Sequence, residues 1–407
     1  MKILHTADWH LGQRFYEYDR TAEHQQFLDW LRQSIYEQEV DVLIIAGDVF
    51  DVANPSAEAQ AMFYRFLAGV TEQNPHLQII VTAGNHDSAS RLEAPAEMMK
   101  ILRVHVSGSI RKTEENEIDY QSLIIPVTRA DGVIAGYCLA VPYLRSGDYP
   151  VSKEDNSYTQ GVRMFYNELF DKAWKMTGGN LPIVAVGHLH TSQAELSDSE
   201  RSIRGGLEVV SPDSFDDRIA YTALGHIHKA QKVGGKENVR YSGSPLPMSF
   251  SEIYYKHRVI LADIAETTEI QELFIPRPVG LLRIGTPEKP LEREIVFRMI
   301  DELPEKTEVQ GEHPPYLEIN IALSAPEPLI RNEILERISG KHVLFARSEV
   351  HYPDRERVEH EAPLTIEEIE RITPLQMFEK AYGKKYGTDV PEELTALFHE
   401  VCDSLHI

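Results

Sequence analysis

Short β-branched apolar runs alternate with longer segments whose apolar residues recur every three or four positions, and this rhythm continues from Lys2 to about Ile275. The runs Ile3–Ala7, Val42–Ala46, Ile79–Ala83, Leu139–Tyr143, Ile183–Val186 and Tyr221–Leu224 read as strands flanked by turn-forming Gly, Asp or Pro. Between them, Thr21–Gln38 (Phe27, Leu28, Leu31, Ile35), Ala57–Gln73 (Phe63, Phe66, Leu67, Val70) and Val162–Met176 (Phe165, Leu169, Phe170, Ala173) carry one apolar face each at helical spacing. The expected fold is a layered α/β sandwich of sheets flanked by helices. Two further strands, His257–Asp263 and Ile270–Ile275, close this first domain, residues 1–275, before Pro276-Arg277-Pro278 stiffens the chain.

A second pattern covers residues 280–353. A helix near Leu291–Leu303 precedes an alternating strand through Leu317, Ile319 and Ile321, a helix Leu329–Ile338 and a strand Val343–Tyr352, which predicts a small α/β capping domain. Residues 354–372 are acidic and poor in aromatics, so they read as a solvated linker. Residues 373–407 turn helical again. Thr373-Pro374 is a plausible helix start, with Leu375, Phe378 and Tyr382 on one face. Pro391-Glu392-Glu393 opens a second helix bearing Leu394, Leu397, Phe398, Val401 and Leu405. A stripe of this kind beyond an acidic linker suits docking on a partner, with packing against the capping domain as the alternative.

Composition narrows the function. Of 407 residues, 41 are Lys or Arg and 64 are Asp or Glu, a formal charge of −23. Net attraction cannot hold an anionic partner, so any such partner needs a local positive centre. No apolar run is long enough to span a bilayer, and the opening MKILHTADWH turns polar too soon for a signal peptide, which predicts a soluble cytoplasmic protein with no membrane partner. Two cysteines, Cys138 and Cys402, exclude a disulfide framework or a thiolate zinc site and read as buried thiols.

The chemistry lies in the residues just past the strand ends: Asp8-Trp9-His10, Gly47-Asp48 through Asp51, Gly84-Asn85-His86-Asp87, Gly187-His188 and Gly225-His226-Ile227-His228. Loops at the carboxyl ends of strands in an open α/β sheet converge on one crevice. Any one of these pieces reads as an ordinary turn or a satisfied core histidine. Together they place two carboxylates, one amide and four imidazoles (Asp8, Asp48, Asn85, His10, His188, His226 and His228) where burial without a cation would strand polar groups. Seven donors exceed what one ion with an open position takes, which points to two divalent metal ions sharing a bridging carboxylate, Asp48. Oxygen and imidazole donors without thiolate suit Mn²⁺, Fe²⁺ or Zn²⁺. Asp87 reads as a turn or cap residue. Loop positions for His190 and Arg14, and phosphate contact for Lys229, stay open.

This motif order, with MKILHTADWHLG, AGDVFD, TAGNHD, VGHLH, LGHIHK and YSGSPLPMSF, resembles the calcineurin-like metallophosphoesterases and, more closely, the SbcD family of nuclease subunits from SbcCD complexes. The resemblance implies a Mn²⁺-dependent nuclease that trims double-stranded DNA ends and cuts hairpins or single strands in DNA repair and recombination. Its implied partners are a coiled-coil SbcC-type ATPase, docked through the tail, and a second copy of the chain within a heterotetramer. Position by position, Asp8, His10, Asp48 and His228 would hold one ion, and Asp48, Asn85, His188 and His226 the other. His86 would serve the leaving oxygen, and Asp51 would orient His86 or be a simple turn residue. The ligand set alone also fits a phosphoesterase of nucleotides or other small esters. A catalytically dead scaffold is disfavoured because the set is complete.

Overall fold

The computed structural model describes residues 1–129, 131–151, 157–197, 209–307, 313–352, 374–386, 388–391, 394–395 and 397–398. The chain divides into two compact units, Met1–Leu281 and Leu282–Ile407. Among the described residues no helix is long and apolar enough to cross a membrane.

The first unit contains two six-stranded sheets. One runs in the order Thr268–Phe274, Arg258–Ile264, Lys2–Thr6, Val42–Ala46, Gln78–Thr82, Val104–Ser107. The other runs Gln231–Val233, Lys236–Tyr241, Tyr221–Gly225, Ile183–His188, Ile134–Ala140, Ile124–Thr128. Strands such as Val42–Ala46 and Gln78–Thr82 are buried along their whole length, as expected for near-continuous apolar runs covered on both faces. One face of each sheet meets the other: Ile3, Ile44, Ile80 and Ile260 share a core with Val184, Val186 and Ala223. The outer faces are closed by helices. Phe27 and Leu31 of helix Thr21–Glu37 and Phe63 and Val70 of helix Ala57–Gln73 pack on Leu43 and Ile45. Phe165, Leu169 and Ala173 of helix Tyr158–Thr177 cover Leu139 and Ala185.

Register delivers the loops to one edge. Thr6 pairs with Ile45 and Ala46 with Thr82 in parallel, and in the second sheet Gly225 pairs with His188. Two boundaries differ from expectation for local reasons. The third helix begins at Tyr158 because the Ser157 side chain accepts from Gln160 N, and it stops at Gly178 in the left-handed region. The strand expected at Leu139–Tyr143 is instead Ile134–Ala140; buried Val141 extends the apolar run past the point where pairing stops.

The second unit has a four-stranded sheet of Leu281–Ile284, Leu291–Glu292, Tyr316–Ala322 and Leu344–His351 with helices Arg293–Asp301 and Ile330–Ile338. Val296, Ile300, Ile319, Ile321 and Ile334 form its core. The helix expected from Leu291 starts two residues later because Leu291 and Glu292 pair in parallel with Ile321 and Ala322. Glu318 lies on the central strand, fully buried, and is paired with Arg283 and Arg347. A further helix spans Pro374–Tyr386, and Phe378 stacks on Phe398 at 4.5 Å between ring centroids. The expected linker 354–372, with Thr373, Val401, Cys402 and Leu405, lies outside the described residues.

Candidate metal centre

Backbone shape places the donors. Asp8, His10, Asp48 and His226 all have positive φ, at 54°, 46°, 48° and 96°, a region that side-chain-bearing residues adopt rarely. The first two loops are zipped together: Asp8 N, His10 N and Leu11 N donate to the carbonyls of Gly47, Asp48 and Val49 at 3.1, 3.0 and 2.9 Å. Close approach demands glycine beside them. A Cβ on Gly47 would lie 2.1 Å from His188 Nδ1, and one on Gly84 would lie 2.1 Å from Asp48 Oδ1.

All seven sequence-derived donors meet here. Potential ligand atoms of Asp8, His10 and His228 lie within 4.8 Å of one another, and so do those of Asp48, His188 and His226. Asp48 Oδ2 stands between the groups, 3.8 Å from His10 Nε2 and 3.2 Å from His188 Nε2. Asn85 Oδ1 is 3.0 Å from both His188 Nε2 and His226 Nδ1. The Ala46 carbonyl can only accept, so His188 Nδ1 donates to it at 2.9 Å, which leaves Nε2 as the ring nitrogen that faces the Asp48 and Asn85 oxygens.

The electrostatics of the cage follow from its burial. Burial pushes the Asp8 carboxyl up to about 7. Burial acts the same way on Asp48, but His188 and His10 outweigh it and hold that carboxyl well below the carboxylate range. Burial lowers His188, yet the Asp48 and Asp8 carboxylates beside it lift it to about 9. Burial drives His226 down to about 3 and His228 well below its ordinary value. Asp8 Oδ2 and His10 Nε2 are buried without any hydrogen-bond partner. Buried acceptors without hydrogen bonds, together with the His226 and His228 imidazoles that burial holds neutral, suit divalent cations.

His86 is exposed at the rim, with its ring 4.9 Å from that of His10. Its backbone N–H donates to Asp48 Oδ1 at 2.8 Å, and its Nδ1 donates to the Asp51 carbonyl at 2.8 Å. Asp51 therefore holds His86 by its main chain, while its carboxylate sits 3.2 Å from His10 Nδ1. Asp51 thus touches His86 through its carbonyl and His10 through its carboxylate.

Three residues support the donors: Asp87, read from the sequence as a turn or cap residue, and Glu252 and Arg20, which the sequence reading did not single out. Asp87 is 2% exposed, and its carboxylate accepts from Val49 N, Phe50 N and Gly84 N at 3.1, 3.0 and 2.9 Å, bolting two donor loops together. Buried Glu252 accepts from Met248 N at 3.0 Å and Ser197 Oγ at 3.1 Å, with Oε1 3.9 Å from His228 Nδ1. Buried Arg20 pairs with Glu23 at 2.9 Å and donates to Gln13 Oε1 at 2.9 Å and the Pro247 carbonyl at 2.7 Å. Only adjacency to a donor motif hinted at Asp87; the other two are set by long-range folding. Of the residues left open, Arg14 is bonded to the Glu17 carbonyl, Lys229 is paired with Glu195, and His190 is half-buried.

Comparison with known proteins agrees with this geometry. The calcineurin-like phosphoesterase family profile matches residues 1–230, and that of the type 5 capsule protein repressor C-terminal domain matches residues 277–386. The chain is 36% identical over 393 residues to the D subunit of nuclease SbcCD from Rhodobacter capsulatus, covering 94% of each chain. It is 32% identical to the Escherichia coli K12 protein of that name, covering 97% of this chain and 94% of that one. To the Bacillus subtilis protein of that name it is 29% identical, covering 100% and 98%. On its fold, its clustered donors and this likeness over nearly its full length, the chain belongs to the calcineurin-like phosphoesterase family, in the branch of the SbcD nuclease subunits.

Proposed function

We propose that this chain is the nuclease subunit of an SbcCD-type complex, hydrolysing DNA phosphodiester bonds with two divalent cations, Mn²⁺ foremost. Asp8, His10, Asp48 and His228 hold one ion in this reading, and Asp48, Asn85, His188 and His226 the other. The observation that carries it is the Asp48 carboxylate lying between two donor clusters that are buried and short of partners. When bound, such an ion pair supplies positive charge for the phosphoryl oxygens and a water nucleophile at neutral pH.

The chain's own residues complete the reaction. Asp48 and Asp8 leave the loaded site net positive, which lets a chain of charge −23 accept an anionic backbone. With Nδ1 donating to the Asp51 carbonyl, His86 presents Nε2 to the departing sugar oxygen, and the doubly protonated ring gives its Nε2 proton there and returns to the neutral Nδ1–H form. Asp51 and Asp87 act by position, the first on His10 and the second on the loops.

Residues 1–275 then serve as the nuclease domain and residues 280–353 as a capping domain, and the segment 373–407 beyond linker 354–372 docks on the coiled-coil base of an SbcC-type ATPase. The relatives' names place them in the SbcCD complex, and their likeness spans both units. Two copies of the chain pair within the cytoplasmic assembly. The test is to incubate the purified chain with Mn²⁺ and either end-labelled duplex and hairpin DNA or a chromogenic phosphomonoester. Cleavage of DNA is expected. Turnover of the monoester with DNA left intact overturns the reading in favour of a small-ester phosphoesterase.

A further inference from the structure

We infer that the cleft beside His228 is a subsite for one strand of DNA, gripping a phosphate with Lys256 and stacking a base on Tyr254. This rests on the proposed nuclease function and adds to it the path of the strand next to the reacting phosphate. The cleft has a volume of about 230 Å³, and His228, Lys229, Tyr254, Lys256, His257 and Arg258 are among its walls. Pockets that enclose a whole small molecule run to about 300–1,000 Å³. This smaller cleft, opening at a donor residue of the metal centre, suits one unit of a longer chain.

Its charges are unequal in availability. Lys229 is paired with Glu195 and lies 5.6 Å over the Tyr255 ring. Arg258 is paired with Glu272 and lies 5.1 Å over the Phe274 ring. Lys256 is exposed and has no side-chain partner among the described residues. It is the wall cation with charge to spare for a phosphate, in a strongly acidic protein. Two residues earlier, Tyr254 is 85% exposed, the most exposed of the large apolar side chains here. A free cation beside an open aromatic face is the arrangement that tracks a single strand, because every base offers a π-face. Behind them, His257 donates from Nδ1 to the Ser244 carbonyl at 2.8 Å, which makes its buried, partnerless Nε2 an acceptor.

The test compares wild type, Tyr254→Ala, Tyr254→Phe, Lys256→Ala and Lys256→Arg. Both positions are exposed, so the variants fold. Binding of a fluorescein-labelled, phosphorothioate-linked single strand of about 15 nucleotides, near the upper site size of such grooves, is read by anisotropy with Ca²⁺ present. Tyr254→Ala is expected to weaken binding about 5- to 100-fold and Tyr254→Phe to restore it, as for a lost and regained base stack. Lys256→Ala lowers the slope of log K against log salt by about 0.7, the value of one phosphate contact on a single strand, and Lys256→Arg recovers it. Unchanged Kd and salt slope in both alanine variants overturn the subsite. Because binding is read without cleavage, a wild type that binds the strand but cuts no DNA with Mn²⁺ overturns the nuclease reading alone.

Discussion

Removing the Asp87 carboxylate is the sharpest test of how the site is held. Asp87→Ala leaves the N–H groups of Val49, Phe50 and Gly84 without their acceptor, in a pocket only 2% exposed. Each stranded buried donor costs about 1–3 kcal/mol. Water entering the space of the lost carboxylate can serve one of them, so the two left give a net loss of roughly 2–6 kcal/mol. At about 2–4 °C per kcal/mol for a domain of this size, the melting temperature falls by about 4–24 °C. A second effect comes from the loops that the bolt joins, since Asp48 precedes Val49 and Asn85 comes directly after Gly84. Cation binding at a hundredfold excess over Kd stabilises a folded protein by about 2.7 kcal/mol. Thermal scans with and without Mn²⁺ should show the wild-type upshift largely gone in Asp87→Ala. A variant that melts within about 2 °C of wild type and keeps its Mn²⁺ upshift would refute the strut.

Separating ligand from proton donor gives a second prediction. Asp48→Ala should lose bound metal and activity together, whereas His86→Ala should keep its metal by elemental analysis and lose about 10²–10⁴-fold in rate; loss of metal from the His86 variant contradicts that assignment. Stability should also vary with pH through buried histidines that hold no ion in the proposed assignment. Burial holds His5 and His24 down to about 3 and His257 to about 4. The folded state keeps them neutral while the unfolded chain protonates them near 6.5, so stability is full above about pH 6.5 and drains as pH falls toward 3–4. Each contributes at most about 2 kcal/mol of loss by pH 5. Urea midpoints that stay level between about pH 7 and 5 would refute it.

The centres of both sheets were legible because Val42–Ala46, Gln78–Thr82 and Ile183–His188 are covered on both faces, so each is an unbroken apolar run next to a polar tip. The strand Lys236–Tyr241 was not, since four of the six residues of KENVRY are polar and it owes its state to pairing with its neighbours. The gathering of seven donors could be read from their shared place after strands. Their bracing could not. Asp51 turns its carbonyl and carboxylate to different histidines, and Arg20 reaches Pro247 across 227 positions of chain. Such links exist only once both sheets are in place.

The donors are drawn from both sheets and span Asp8 to His228. On the proposed assignment, neither ion has its full complement until the second sheet has been synthesised and docked. A growing polypeptide on the ribosome, or a fragment cut short before that strand, therefore cannot arm itself against the nucleic acid around it. Danger to the cell's own genome is deferred until the sandwich has closed.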